Sequence, residues 1–290
     1  MGSKKAEGLV LAPFSKKSGI FAEDYFPLLC SPEELEASYA RCRACGVPQD
    51  LTRPREILDP AALTPRLKAA ELLLSLAEKT VKPICTTDSQ RNFICILCDP
   101  ELVALKLYAS PEILEAAAKV GVVPGTVFTE ESCGTNALAL AREHKRLIAI
   151  RGEQHFCQFF HNWCCVAAPV QGLGNSTLGY LDISMHAERE LGFAVTFLKT
   201  LLLLMKKELA LAREISSLPL EIERRLSPRE REILFLLLRR LTNEEIAAYL
   251  NLSVYTVKTY RKFIYRKLGV SSFNELLAKY RTAAERLDLN

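Results

Sequence analysis

Leu226-Ser227-Pro228-Arg229-Glu230-Arg231-Glu232 opens a C-terminal run in which helix starts follow one another closely, next at Thr242-Asn243-Glu244-Glu245-Ile246-Ala247 and then around Thr256-Val257-Lys258. Ser227 caps a helix whose first residue is Pro228 and whose third is Glu230. Such a capping box satisfies two backbone N–H groups that the first turn leaves open. Ile233, Leu234, Leu237 and Leu238 then recur on one helical face. Thr242 and Glu245 repeat the box and open a second helix, 243–250, with Ile246, Ala247 and Leu250 on its inner side. Asn251 tolerates the left-handed backbone of a tight turn. Ser253 caps a third helix, 254–268, and Ser272 with Glu275 boxes a fourth.

In the third helix Val257, Ile264 and Leu268 face inward, while Lys258, Arg261, Lys262, Arg266 and Lys267 take the remaining positions and no acid dilutes them. From residue 221 onward there are 14 Lys and Arg against 9 Asp and Glu, whereas the whole chain has a net charge of only +4. The positive charge is therefore segregated onto a short helical module with one basic helix, the electrostatic footprint of a nucleic-acid reader.

The string LSPREREILFLLLRRLTNEEIAAYLNLSVYTVKTYRKFIYRKLGVSSFNELLAKY resembles the LuxR-type (FixJ/NarL-like) helix-turn-helix over its whole length. It departs from that family at Arg240 and Asn251, both turn positions where glycine is usual. The resemblance implies a recognition helix in the major groove, with Lys258, Thr259 and Lys262 facing bases and Thr256, Tyr260, Arg261 and Arg266 meeting phosphates. Glu230 and Glu245 are accounted for by capping.

At 290 residues the chain has room for two domains, and 49% hydrophobic with 25% charged residues is a globular composition. The densest apolar run, 201–205, is too short to cross a bilayer, and no secretory signal opens the chain, so a cytoplasmic protein is expected. Its ten cysteines are then reduced thiols, metal ligands or a redox site.

Upstream, residues 1–30 show little organisation. Ser31-Pro32-Glu33-Glu34 begins a boxed helix, and 63–82 reads as one long amphipathic helix stopped by Pro83. Strands are expected at 93–98, 103–108, 148–150, 165–170 and 178–184, with helices over 111–120 and 136–142, giving an α+β sheet packed by helices. A helix over about 188–215 would be roughly 40 Å long. Its Val195, Leu198, Leu202, Met205, Leu209 and Ala212 repeat every seven residues, a pattern that fits a dimer seam or ordinary core packing. The expected organisation is an N-terminal segment 1–30, a sensory domain 31–190, a connecting and dimerising helix with linker 188–219, and an all-α four-helix head 222–285.

The segments DPELVALKLYASPEI, PGTVFTEESCGTNALALA and GEQHFCQFFHNWCCVAAPVQGLGNSTLGYLDIS are similar, in that order, to the GAF sensory domain of AcoR-type regulators. The resemblance covers about residues 35–190 and implies a GAF-like antiparallel sheet enclosing a small organic effector. AcoR-type regulators usually continue into an ATPase working with sigma-54. No Gly-x-x-x-x-Gly-Lys-Ser/Thr loop occurs here, so ATP dependence is not expected.

Within the matched loops Phe128, Glu131, Thr135, Asn136, Glu153, His155 and Trp163 are the candidate ligand-binding residues, alongside capping and packing as ordinary roles for Thr135, Asn136 and Trp163. Cys133, His155, Cys157, His161, Cys164 and Cys165 are the alternative, a metal or thiol-redox sensor, although buried cysteines also serve as small hydrophobes. Of the two C-x-x-C pairs, Cys95 and Cys98 would point to opposite faces of a strand, and Gly46 ends the helix carrying Cys42 and Cys45. A GAF-type thiol reductase would need an accessible, low-pKa thiol, which nothing marks. The sequence therefore predicts no enzyme and no certain cofactor. It predicts a homodimeric, ligand-responsive transcription regulator, an activator by its resemblance, that engages double-stranded operator DNA and RNA polymerase away from any membrane.

Overall fold

The computed structural model describes residues 30–85, 92–172, 174, 176–188, 191–216 and 220–280. The expected N-terminal segment (except Cys30), linker residues 217–219 and head residues 281–285 lie outside that set. The chain divides into two compact units, Met1–Met205 and Lys206–Asn290. No helix among the described residues is long and apolar enough to cross a membrane.

The first unit opens with α1 (Pro32–Ala44), held by the Ser31–Glu34 capping box. The single helix expected over 63–82 is instead three: α2 (Pro60–Ala69), α3 (Glu71–Thr80) and α4 (Lys82–Cys85). Asp59 caps α2 earlier than the apolar pattern suggests, and Ala70, at φ −95° and ψ 18°, breaks the run. Pro83 does not stop the chain because it is the second residue of α4, where a missing N–H costs nothing.

There follow β1 (Phe93–Cys98), β2 (Ala104–Tyr108), α5 (Pro111–Lys119), α6 (Glu130–Cys133), α7 (Ala137–His144), β3 (Ile148–Arg151), β4 (Trp163–Gln171), β5 (Thr177–His186) and α8 (Leu191–Ser216). The strands form one antiparallel sheet in the order β2-β1-β5-β4-β3, the α+β architecture expected.

Register decides what the sheet presents. Asp182 lies opposite Ile96 on one side and Ala167 on the other, and Ser184 lies opposite Ile94 and Cys165. Strand alternation puts these six on one face, where the apolar ones join a cluster with Ala137, Leu138 and Leu140 of α7. The other face receives α3 and α8: Phe93 meets the rings of Phe193 and Phe197 at 6.2 and 5.1 Å. Gly179 is required there, since a Cβ would sit 2.2 Å from the Cys98 carbonyl oxygen and 2.6 Å from Leu73.

On α8 the seven-residue stripe is largely occupied within the chain, with Val195, Leu198, Met205 and Leu209 all buried. The repeat thus reflects core packing at those positions, and the large apolar side chains left exposed are Phe193 and Leu203.

The second unit contains α9 (Leu220–Arg225), which the sequence reading did not anticipate, then α10 (Pro228–Leu238), α11 (Asn243–Leu250), α12 (Val254–Leu268) and α13 (Phe273–Lys279). Both reciprocal boxes, Ser227 with Glu230 and Thr242 with Glu245, are formed. Ser253 and Ser272 cap the next two helices, but Glu275 returns its carboxylate to Ser271, at 2.8 Å from that backbone nitrogen, rather than to Ser272. Arg240 and Asn251 take the left-handed conformation at φ 63° and 52°. The turns therefore keep the geometry that glycine would give, and the strain falls on the arginine.

Candidate functional site

Two places concentrate functional chemistry, a small, partly open cavity in the first unit and the exposed face of α12 in the second. The cavity measures about 20 Å³, room for about one water molecule. Ile96, Val122, Phe128, Phe160 and Trp163 supply apolar wall, and Asn136, His155, Asp182 and Ser184 supply polar wall.

These polar groups differ sharply in how well they are satisfied. Asn136 is saturated: its amide donates to the carbonyls of Phe128 and Gly134, and its oxygen accepts from Ala139. His155 is 1% exposed, and its Nδ1 lies 3.0 Å from the Gly152 carbonyl, which makes Nδ1 the donor. Its Nε2 has no hydrogen-bond partner among the described residues. Burial pushes the imidazole down to about 4, so the ring is neutral and Nε2 is a bare acceptor. Asp182, 2% exposed, accepts from Ser184 Oγ at 2.5 Å. Desolvation raises its carboxyl to about 7 despite that hydrogen bond.

Of the sequence-expected ligand residues, Phe128, Asn136, His155 and Trp163 come together around this cavity. Glu131 and Glu153 are exposed and do not line it. Thr135 is buried in a different network: Ser38 Oγ lies 2.7 Å from Thr135 and donates to Glu130 at 2.5 Å, while Arg41 grips Glu130 through two bonds of 2.6 and 2.7 Å. That bidentate pair ties α1 to the start of α6. Sequence reasoning missed Phe160, Asp182 and Ser184. The available signal was a lone acid inside the apolar run Gly179-Tyr180-Leu181-Asp182-Ile183-Ser184.

The metal or redox candidates are not brought to one point. Among the described residues no group of three His, Cys, Asp or Glu is placed to hold a metal ion. His161 Nε2 is 3.1 Å from the His155 carbonyl, Cys133 donates to the Val127 carbonyl at 3.2 Å, and Cys157 donates to that of Pro48 at 3.5 Å. Cys164 and Cys165 are consecutive in β4 and so face opposite sides of the sheet. Burial pushes the Cys157 thiol up to about 12 and raises those of Cys133, Cys164 and Cys165.

On α12, Val257, Ile264 and Leu268 are buried, and Lys258 and Lys262 are exposed. Tyr255 is 80% exposed on the same face, three residues before Lys258, and was missed because aromatic residues ordinarily read as core. Thr259 donates to the Tyr255 carbonyl at 2.9 Å, and Thr256 lies 2.8 Å from Ser253 Oγ. Tyr260 packs against the head's apolar cluster. Arg261 donates to Asn243 at 3.3 Å, and Arg266 lies over the Phe263 ring at 4.8 Å. Lys267 is turned inward to Glu230 at 2.7 Å, linking α12 to the start of α10.

Residues 224–279 match the family of bacterial regulatory proteins, luxR family (GerE). The C-terminal unit carries a LuxR-type helix-turn-helix domain. Several curated relatives align with the chain, two of them as follows. The acetoin dehydrogenase operon transcriptional activator AcoR of Bacillus subtilis is 28% identical over 155 residues, 53% of this chain and 26% of that protein. A signal-transduction and transcriptional-control protein of Clostridium beijerinckii is 22% identical over 173 residues, 58% of this chain and 27% of its own length. The chain thus spans about a quarter of each (26% and 27%). Among solved structures, the Escherichia coli DhaR(N)–DhaL complex contains a chain that superposes with a TM-score of 0.54 at 20% identity, covering 63% of this chain and 64% of that one. That likeness establishes a shared fold over 63% of the chain, and the LuxR-type domain is matched separately.

Proposed function

We propose that this chain is a DNA-binding transcription regulator whose N-terminal unit senses a small organic effector and whose LuxR-type domain reads an operator. The observation that carries the reading is the exposed Tyr255–Lys258–Lys262 face on the recognition helix of a domain matching the luxR family. Relatives named as a transcriptional activator and a transcriptional-control protein favour activation, with RNA polymerase as the protein partner. Effector binding would bias a two-state equilibrium in α8, which runs from the first unit into the second. A homodimer would then meet dyad-related half-sites about one helical turn apart.

The test is recovery of duplexes from a pool of genomic fragments by the full chain, followed by anisotropy titrations on a recovered and a scrambled duplex at matched salt. A preferred duplex should emerge, and Lys262→Ala should weaken binding to it by about 1–3 kcal/mol with less effect on the scrambled one. Equal retention of all fragments would overturn the reading.

A further inference from the structure

The cavity wall has an uneven chemistry. Two of its polar groups have acceptor capacity to spare: His155 Nε2, which has no hydrogen-bond partner among the described residues, and the Asp182 carboxyl, whose Oδ1 accepts from Ser184; both residues are at most 2% exposed. No lysine or arginine lines the cavity to balance the acid. Around them stand Phe128 and Phe160, stacked with centroids 6.5 Å apart, and Trp163. A second, open cleft of about 680 Å³ adjoins it, and Trp163 and Ser184 belong to both walls. That cleft carries Glu112 and Glu188, with no lysine or arginine among its lining residues.

A buried acceptor without a donor is costly, and a buried carboxyl without a countercharge more so. The missing complement is a group that brings at least two hydrogen-bond donors and a positive charge, and that sits well against aromatic faces. An alcohol supplies one donor and no charge; an anion would meet Asp182 with like charge once that carboxyl has lost its proton. Rooted in the reading of this unit as an effector sensor, we propose that the cavity recognises a small primary ammonium compound. Its ammonium group donates to Asp182 and to His155 Nε2, and its short carbon chain lies among Phe128, Phe160 and Trp163. The acidic outer cleft attracts the cation. Displacement of Trp163 joins that cleft to the inner cavity, whose 20 Å³ must enlarge to admit more than a water-sized group.

Trp163 is the chain's sole tryptophan, so its fluorescence reports on this wall alone. The experiment titrates the full chain at about pH 8, where Asp182 has lost its proton, with propylammonium chloride and, at the same ionic strength, with 1-propanol, which has the same number of heavy atoms. A saturable change with propylammonium and none with propanol is expected. In Asp182→Asn the midpoint should rise about tenfold or more, as expected from losing one charge-assisted hydrogen bond. No saturation by propylammonium, or equal saturation by propanol, overturns the proposal, and so does an unchanged midpoint in the variant. The comparison of the two probes on the unmodified chain stands even if the variant misfolds. Fragment recovery without any probe tests the DNA-binding reading separately, so failure of one is not failure of the other.

Discussion

Replacing Asp182 by asparagine keeps the side chain's shape and removes its titration. In the folded chain burial holds the Asp182 proton up to about pH 7, against an ordinary value of 3.8. Between those values the folded state binds a proton that the unfolded state has lost, so each rise in pH weakens the fold, and above about 7 the whole penalty is in place. A gap of about three units at 1.36 kcal/mol each is about 4 kcal/mol. Asparagine escapes that cost but leaves amide donors to satisfy, for about 1–3 kcal/mol. The variant should therefore be about 1–3 kcal/mol more stable than the parent near pH 8 and should lose the advantage near pH 4.

His155 adds a second signature of opposite sign. Its proton affinity falls from 6.5 to about 4 on folding, so its contribution is complete above 6.5 and is lost as pH falls towards 4. In the parent the two terms offset each other over that interval. In Asp182→Asn the opposing term is gone, and stability should climb by about 3 kcal/mol from pH 4 to 6.5, with the depressed Glu78 carboxyl adding in the same direction at the acid end in both proteins. Urea unfolding followed by Trp163 fluorescence, in steps from about pH 4 to about pH 8, reads only the first unit. Parallel curves for the two proteins, or a variant weaker than the parent near pH 8, refute the argument.

Arg240→Gly relieves a left-handed arginine and should stabilise the LuxR-type head by about 0.5–1 kcal/mol, read as a shift in its thermal midpoint. Gly134→Ala should destabilise the first unit by more than about 1 kcal/mol, since φ is +68° and the new Cβ would lie 2.7 Å from Cys157 Sγ. Urea unfolding of that variant by Trp163 fluorescence measures the loss, and an unchanged midpoint would show that the Gly134 turn can relax.

Local chemistry made the head readable. Ser227, Thr242 and Ser253 each cap through their own side chain three residues on, so the signal and the structure occupy the same few positions. The strands were readable for the same reason, with errors confined to their ends. What escaped is what depends on partners distant in sequence. The break at Ala70 carries no proline or glycine, and Pro83 suggested a stop that its place early in α4 makes unnecessary. The cavity needs β1, β4, β5 and the loops around Phe128 and His155 at once. Motif resemblance reached Phe128, Asn136, His155 and Trp163 but could not separate them from Glu131, Thr135 and Glu153, because only register and packing decide which side chains share a wall. Asp182 was visible as an acid in an apolar strand, yet strand alternation alone leaves open which face it takes.

The same criterion of what is left unsatisfied favours an effector site over a thiol or metal sensor built on Cys133, His155, Cys157, His161, Cys164 and Cys165. A sensor thiol must form thiolate, which calls for exposure or a nearby cation, and a metal needs several ligands free to converge. Here Cys133 and Cys157 donate to backbone carbonyls, Cys164 and Cys165 point apart, and burial disfavours the thiolate of all four. His161 is occupied by a backbone carbonyl as well. By contrast, His155 Nε2 sits against the cavity without a partner among the described residues, and Asp182 shares that wall with a single neutral hydroxyl, Ser184, donating to its Oδ1. Folding has satisfied these four cysteines and left the His155 acceptor open beside a buried carboxyl without a countercharge, and a retained desolvation cost marks where a ligand has most to gain.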